Sequence, residues 1–184
     1  MTAVLQSLLE WDKHIFFYFQ KVQCAFLDYL LGFPTLLGDT VVLLSVTAVM
    51  ILFLDRKKTS QKITFAVFTI LSSYWVVSFL KDYFHRPRPY EFWKNVVLTF
   101  GKAPSESFPS GHTAAAFAVA HLLNRLYQGK MPWLYGIAAW VGITRIYTGV
   151  HYPTDVVAGA IVGVGCSILT EFLLKRWILL SDTE

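Results

Sequence analysis

Charge is scarce in this sequence. Of 184 residues, 15% are charged and 55% hydrophobic, and the mean hydropathy is +0.49, a balance too apolar for an ordinary soluble domain of this length. Cysteine is scarcer still: Cys24 falls near a membrane interface and Cys166 inside an apolar run, so no disulfide framework is in prospect. The first residues lack a basic start, and the nearest apolar run carries charges, so no cleavable signal peptide is expected. The net charge of +4 is divided between the two ends of the apolar runs and makes no case for a nucleic-acid partner.

What the chain has instead is long apolar runs. A hydrocarbon core about 30 Å thick takes a helix of about 20 residues. Runs suited to that role occupy 36–54, 63–80, 132–150 and 154–174, and a shorter one occupies 113–127, broken only near its end by His121, Asn124 and Arg125. The expected fold is an all-α polytopic transmembrane bundle, one domain over residues 1–184 with five clear spans. Residues 1–33 differ: Leu5, Leu8, Leu9, Ile15, Phe16, Phe19, Val22 and Phe26 recur at helical spacing, but Gln6, Glu10, Lys13, Gln20 and Asp28 interrupt them. This segment reads as an interfacial amphipathic helix or as a short sixth crossing.

Basic residues orient the spans. Arg56, Lys57, Lys58, Lys62, Arg125, Lys130, Lys175 and Arg176 fall on one side, and Lys81, Arg86, Arg88, Lys94, Lys102 and Arg145 on the other, where Asp82, Glu91, Glu106 and Asp155 offset them. The more basic side is expected to be cytoplasmic. Alternating the spans then brings Lys81, Arg88, the "PSGH" run at 109–112, Arg145, His151 and Asp155 to one depth on the outer face. Ionisable groups gathered at a membrane margin point to a functional site.

The sign of the cluster indicates its occupant. Lys81, Arg88 and Arg145 are cationic, and a guanidinium fork matches phosphate oxygens. "PSGH" opens a helix whose free N–H groups favour an anion, with Gly111 allowing close approach and Ser110 adding a hydroxyl. His151 and Asp155 stand four apart at the start of the last span, with Pro153 suited to its first turn. A carboxylate on Nδ1–H fixes the tautomer and leaves Nε2 as base or nucleophile, while His112 supplies a proton to a leaving oxygen. Taken singly, Lys81, Arg86 and Arg88 also read as snorkelling anchors at a helix end; their convergence with the other two blocks decides against that for Lys81 and Arg88. A metal set drawn from His85, His112, His151 and Asp155 conflicts with the adjacent cations, so no metal and no cofactor are expected. His14, His85 and His121 belong to no block.

These three blocks, Lys81 with six residues before "RP" (Arg88, Pro89), "PSGH", and Arg145 with His151 and Asp155 following, resemble the signature of the type 2 phosphatidic acid phosphatase superfamily, membrane branch. The resemblance covers residues 81–155 and departs at Thr144, where the family often has serine and where a hydroxyl contact to phosphate is still expected. It implies a metal-independent lipid phosphatase with a phosphohistidine intermediate. His151 would be the nucleophile, Asp155 its orienting partner and His112 the acid; Lys81, Arg88, Ser110, Gly111 and Arg145 would bind the phosphoryl group. Implied substrates are phosphatidic acid, phosphatidylglycerophosphate, an isoprenyl pyrophosphate carrier or the 1-phosphate of lipid A, at the periplasmic face of the inner membrane. A haloperoxidase-like enzyme and a non-enzymatic lipid carrier are the alternatives.

Three further readings complete the sequence. Arg86, off the signature, is expected to meet lipid headgroups or substrate. Gly159 and Gly163, with Ala158, Ala160, Gly165 and Cys166, form a small-residue stripe that suits close packing inside the chain better than a dimer face, leaving a monomer or weak homodimer. The apolar loop 90–108, with Phe92, Trp93 and Phe100, is expected to lie on the membrane or cover the site.

Overall fold

A computed structural model describes residues 3–32, 38–54, 59–99 and 105–180. The start of the first expected span at residue 36, and Arg56, Lys57, Lys58, Phe100 and Lys102, lie outside the described residues. Among the described residues the regular structure is helical: α1 Ala3–Lys21, α2 Ala25–Gly32, α3 Thr40–Leu54, α4 Thr59–Phe84, α5 Pro89–Phe92, α6 Gly111–Leu126, α7 Trp133–Tyr147 and α8 Pro153–Leu180. Each of the five expected spans is a helix within a few residues of its expected limits. By length and composition, Thr59–Phe92 and Pro153–Leu174 qualify as membrane crossings among the described residues, and Thr40–Leu54 is a shorter apolar helix. At 16 and 15 residues, α6 and α7 rise only about 24 and 22 Å.

The central helix is α6, which packs against α3, α4, α7 and α8. Its middle is nearly all small, and Ala114, Ala115, Ala116, Ala118 and Ala120 are buried. Glycine on α8 exploits this. A Cβ at Gly159 would sit 2.5 Å from the Ser110 carbonyl oxygen, and one at Gly163 would sit 2.1 Å from that of Ala114. The small-residue stripe therefore serves packing within the chain, although Gly165 faces open space. The outer surfaces of α4 and α8 carry Phe68, Trp75, Phe79, Ile161, Phe172 and Leu173 exposed, whereas their inner surfaces carry small and polar residues such as Ser73, Thr69, Ser167 and Thr170. Apolar outside and mixed inside is the arrangement a lipid surround favours.

The N-terminal segment is two helices rather than one, breaking at residues 22–24. Contacts from Asp12, Phe16 and Gln20, one turn apart, all go to the same end of the bundle. Asp12 reaches Thr154, Phe16 packs on Tyr152 with ring centroids 5.6 Å apart, and Gln20 donates to the Tyr147 carbonyl. So α1 lies across the end where α7 stops and α8 starts, with Leu8, Trp11, Ile15 and Tyr18 exposed on its other face. Tyr147 fastens α2 to the same corner through a 2.6 Å hydrogen bond from its hydroxyl to Asp28.

Candidate active site

Four chain segments meet at this end, and the main chain ties them together. Ser107 N–H donates to the Arg86 carbonyl, Ser110 N–H to that of Asp155, and His151 N–H to that of Arg145. Each helix entering the junction starts with matching local chemistry. Ser110 caps α6, its Oγ accepting from the N–H and hydroxyl of Thr113. At α8, Pro153 occupies the first helical position, where its missing N–H is no loss. Asp155, in the first turn, reaches back to accept from Tyr152 N–H at 2.8 Å.

Around this junction a cavity of about 420 Å³ is lined by Lys81, Arg88, Gly111, His112, Arg145 and His151. These are six of the eight residues expected at the site. Its floor is strongly cationic. Lys81 Nζ donates to Ser105 Oγ at 3.2 Å and to the Glu106 carbonyl. Arg88 donates to the carbonyls of Ser105 and Val150. Both cations thus bond to neutral acceptors and keep much of their charge for an anion in the cavity, with Asp82 and Glu106 also lining it. The rest of the wall is Ile70, Ser73, Tyr74, Val77 and Ser78 of α4, with Ala115, Gly38 and Thr40, so the cavity runs from the charged end along α4.

His151 is nearly inaccessible at 2% exposure. Its Nε2 lies 3.4 Å from Arg88 Nη1, and its Nδ1 faces Asp155 Oδ2 at 3.5 Å. That second contact is long for a hydrogen bond, because Oδ2 also accepts from Ser107 Oγ and Tyr152 N–H. Burial, with Arg88 and Arg145 adding repulsion, holds the His151 imidazole well below the ordinary histidine range against the opposing pull of Asp155. This environment favours the neutral imidazole, and Nε2 lies beside Arg88, which lines the same cavity.

Two expected residues stand outside the cavity lining. Ser110 is fully buried at the α6 cap, and Asp155 sits behind His151. Gly111 lines the cavity, and a Cβ there would meet Val77 at an ordinary 3.6 Å, so packing alone does not demand glycine. Thr144 differs from expectation: its hydroxyl donates to the Val141 carbonyl and it is fully buried. Arg86 differs too. Instead of meeting headgroups, its guanidinium bonds Asp155 Oδ1 at 2.6 Å and Asp12 Oδ2 at 2.7 Å and stacks 4.1 Å over the Tyr152 ring. The two arginines of "RPRP" thus serve opposite sides of the junction. In loop 90–108, Phe92 and Val97 are exposed, and Phe17 packs edge-on against Trp93.

Comparison with known proteins assigns the family. The profile of the PAP2 superfamily matches residues 62–178. The chain belongs to the PAP2 superfamily. This PAP2 chain is 37% identical over 119 residues to a lipid A 1-phosphatase of Rhizobium johnstonii, a match covering 61% of the chain but 48% of the relative, so it spans about half that protein's length. It is 32% identical over 154 residues to an undecaprenyl-diphosphatase of Sulfolobus acidocaldarius, covering 80% of the chain and 71% of the relative. The crystal structure of Aquifex aeolicus LpxE superposes with a TM-score of 0.72 at 32% identity, over 85% of this chain and 92% of that one. A PAP2-type phosphatidylglycerolphosphate phosphatase from Bacillus subtilis shares the fold, with a TM-score of 0.74 at 24% identity, covering 95% and 88%.

Sequence reasoning missed Asp12, Ser105, Ser107 and Gly38 at this PAP2 site. Gly38 packs so tightly that a Cβ would lie 2.7 Å from His112 Cδ2. Only Ser105 and Ser107 carried a usable signal, their place in the polar run just before "PSGH".

Proposed function

We propose that this chain is a membrane lipid phosphatase that hydrolyses a phosphate monoester or pyrophosphate on a lipid, through a phosphohistidine intermediate and without a metal ion. The reading rests on one observation: a buried imidazole faces a cavity whose floor is Lys81, Arg88 and Arg145, with a carboxylate behind it. Phosphoryl transfer is mainly positioning and stabilisation of spread negative charge, which suits such a floor.

In the forward step His151 Nε2 attacks phosphorus, forming an N–P bond as the P–O bond to the lipid breaks. His112 gives its proton to the departing oxygen. The positive charge then carried by His151 is balanced by Asp155 at Nδ1. In the second step water attacks phosphorus, His112 takes its proton, and cleavage of the N–P bond returns His151 and inorganic phosphate. Lys81, Arg88, Arg145 and the first turn of α6 from Gly111 hold the phosphoryl oxygens throughout, with Ser110 capping that helix.

The excess of basic residues at the opposite end of the spans supports a site on the extracytoplasmic side of the inner membrane, in a chain that crosses five times with α1 lying in the interface. The apolar wall along α4 suits the start of a lipid tail. Lipid A 1-phosphate, undecaprenyl pyrophosphate, phosphatidylglycerophosphate and phosphatidic acid are the substrates to compare, and the names of the relatives put lipid A and undecaprenyl diphosphate first.

The test is release of inorganic phosphate from these four lipids by the purified protein in EDTA. Turnover should persist in the chelator and fall by roughly three orders of magnitude or more in His151→Ala. Activity that survives His151→Ala, or that EDTA abolishes and zinc or magnesium restores, would refute the scheme.

A further inference from the structure

The phosphatase reading uses Asp155 as the charge behind His151, yet Asp155 is bonded to a cation of its own. Arg86 Nη1 donates to Asp155 Oδ1 at 2.6 Å, so Arg86 and Asp155 alone form a neutral pair. A neutral pair stabilises a positive imidazole far less than a free carboxylate does. The structure supplies a third charge. Asp12, 2% exposed, accepts from Arg86 Nη2 at 2.7 Å and from both the N–H and the hydroxyl of Thr154. With Asp12 included, the cluster carries one net negative charge again, directly behind His151.

Geometry gives Asp12 a second task. A guanidinium with a single carboxylate partner favours a fork on both of its oxygens. Such a fork on Asp155 would draw Oδ2 away from His151 Nδ1. By occupying Nη2, Asp12 restricts Arg86 to Oδ1, while Ser107 and Tyr152 N–H hold Oδ2 in place. Asp12 lies on α1, 74 positions from Arg86 and outside every signature block.

We infer that Asp12 is a positioning residue for the reaction, restoring the negative charge of the Arg86–Asp155 pair and its alignment on His151, so that the N-terminal helix is part of the catalytic machinery. This rests on the phosphohistidine reading above. Because α1 is also held by Phe16 and Gln20, and the turn after it by Gln23, Asp12→Asn should stay docked.

The experiment compares kcat and KM for phosphate release from a lipid phosphate by the full chain and by Asp12→Asn, Asp12→Glu, Arg86→Gln and the Asp12→Asn/Arg86→Gln double variant. Losing a hydrogen bond between charged groups predicts that Asp12→Asn lowers kcat about tenfold with KM within about twofold of wild type. Asp12→Glu should recover part of that loss. In the Arg86→Gln background, Asp12→Asn should change kcat by less than about twofold, because the two act through one another. Phe16→Ala, which loosens α1 without removing charge, should lower Tm while keeping kcat within about threefold. The inference is overturned if Asp12→Asn leaves kcat unchanged, if its loss is in KM alone, if the loss is undiminished in the Arg86→Gln background, or if Phe16→Ala reproduces it. Wild-type protein that releases no phosphate from any of the four lipids would bring down the phosphatase reading itself, whereas normal wild-type turnover with an unaffected Asp12→Asn brings down this one alone.

Discussion

Replacing Gly163 by alanine adds one methyl group where α8 crosses α6. The new Cβ would stand 2.1 Å from the Ala114 carbonyl oxygen and 2.9 Å from its carbon. Both are backbone atoms, so no side chain can swing aside, and reaching ordinary contact moves the helices apart by more than an ångström locally. Overpacking of this kind costs about 1–3 kcal/mol, which for a chain of this size lowers Tm by roughly 2–12 °C. The same displacement bears on the site, because Asp155 lies in the first turn of α8, just after His151, and is tied to Ser110 through the main chain. An ångström of misplacement between nucleophile and anion floor can lower kcat about a hundredfold. Gly165→Ala is the matched control: nothing lies within 4 Å of its Cβ, and alanine favours an exposed helix position over glycine by about 0.5–1 kcal/mol. The assay is Tm in detergent together with kcat for phosphate release. Equal Tm for wild type and Gly163→Ala, or equal damage from both substitutions, would refute the account of the α6–α8 contact.

Two more outcomes follow from the site. Because burial lowers the His151 value, its neutral form, the proposed nucleophile, persists as pH falls through the usual histidine range and is lost only below it. The acid limb of kcat/KM, corrected for the substrate's own ionisation near pH 6, should therefore lie well under about 6.5; a His151-dependent midpoint at 6.5 or above contradicts this. Ser107→Ala removes a hydrogen bond to the buried Asp155 carboxylate and should lower kcat about tenfold with little change in KM; unchanged kcat would show that Tyr152 N–H and Arg86 hold Asp155 unaided.

Much of this architecture was legible because membrane helices obey a simple rule of length and alternation. Once the runs ending near Leu80 and Val150 and those starting near Thr113 and Thr154 are taken as antiparallel neighbours, Lys81, Arg88, His112, Arg145 and His151 have to come to one end. Arg86 was misread because "RPRP" gives no local sign that its two arginines diverge; its partners lie on α1 and α8. Asp12 was invisible for a related reason. Its three acceptor contacts depend on how α1 docks, and a lone Asp in an amphipathic helix looks like any solvated residue. Thr144 misled because a hydroxyl beside Arg145 has a competing acceptor one turn back in its own helix.

The main-chain bonds among Ser107, Ser110, Arg145 and His151 have a practical consequence. They do not involve the side chains proposed to react, so a His151→Ala protein, expected to be inactive, should retain the shape and charge of its cavity. Purified from native membranes, such a variant could serve as a molecular trap, and mass spectrometry of the lipid it carries would name the physiological headgroup without a prior guess.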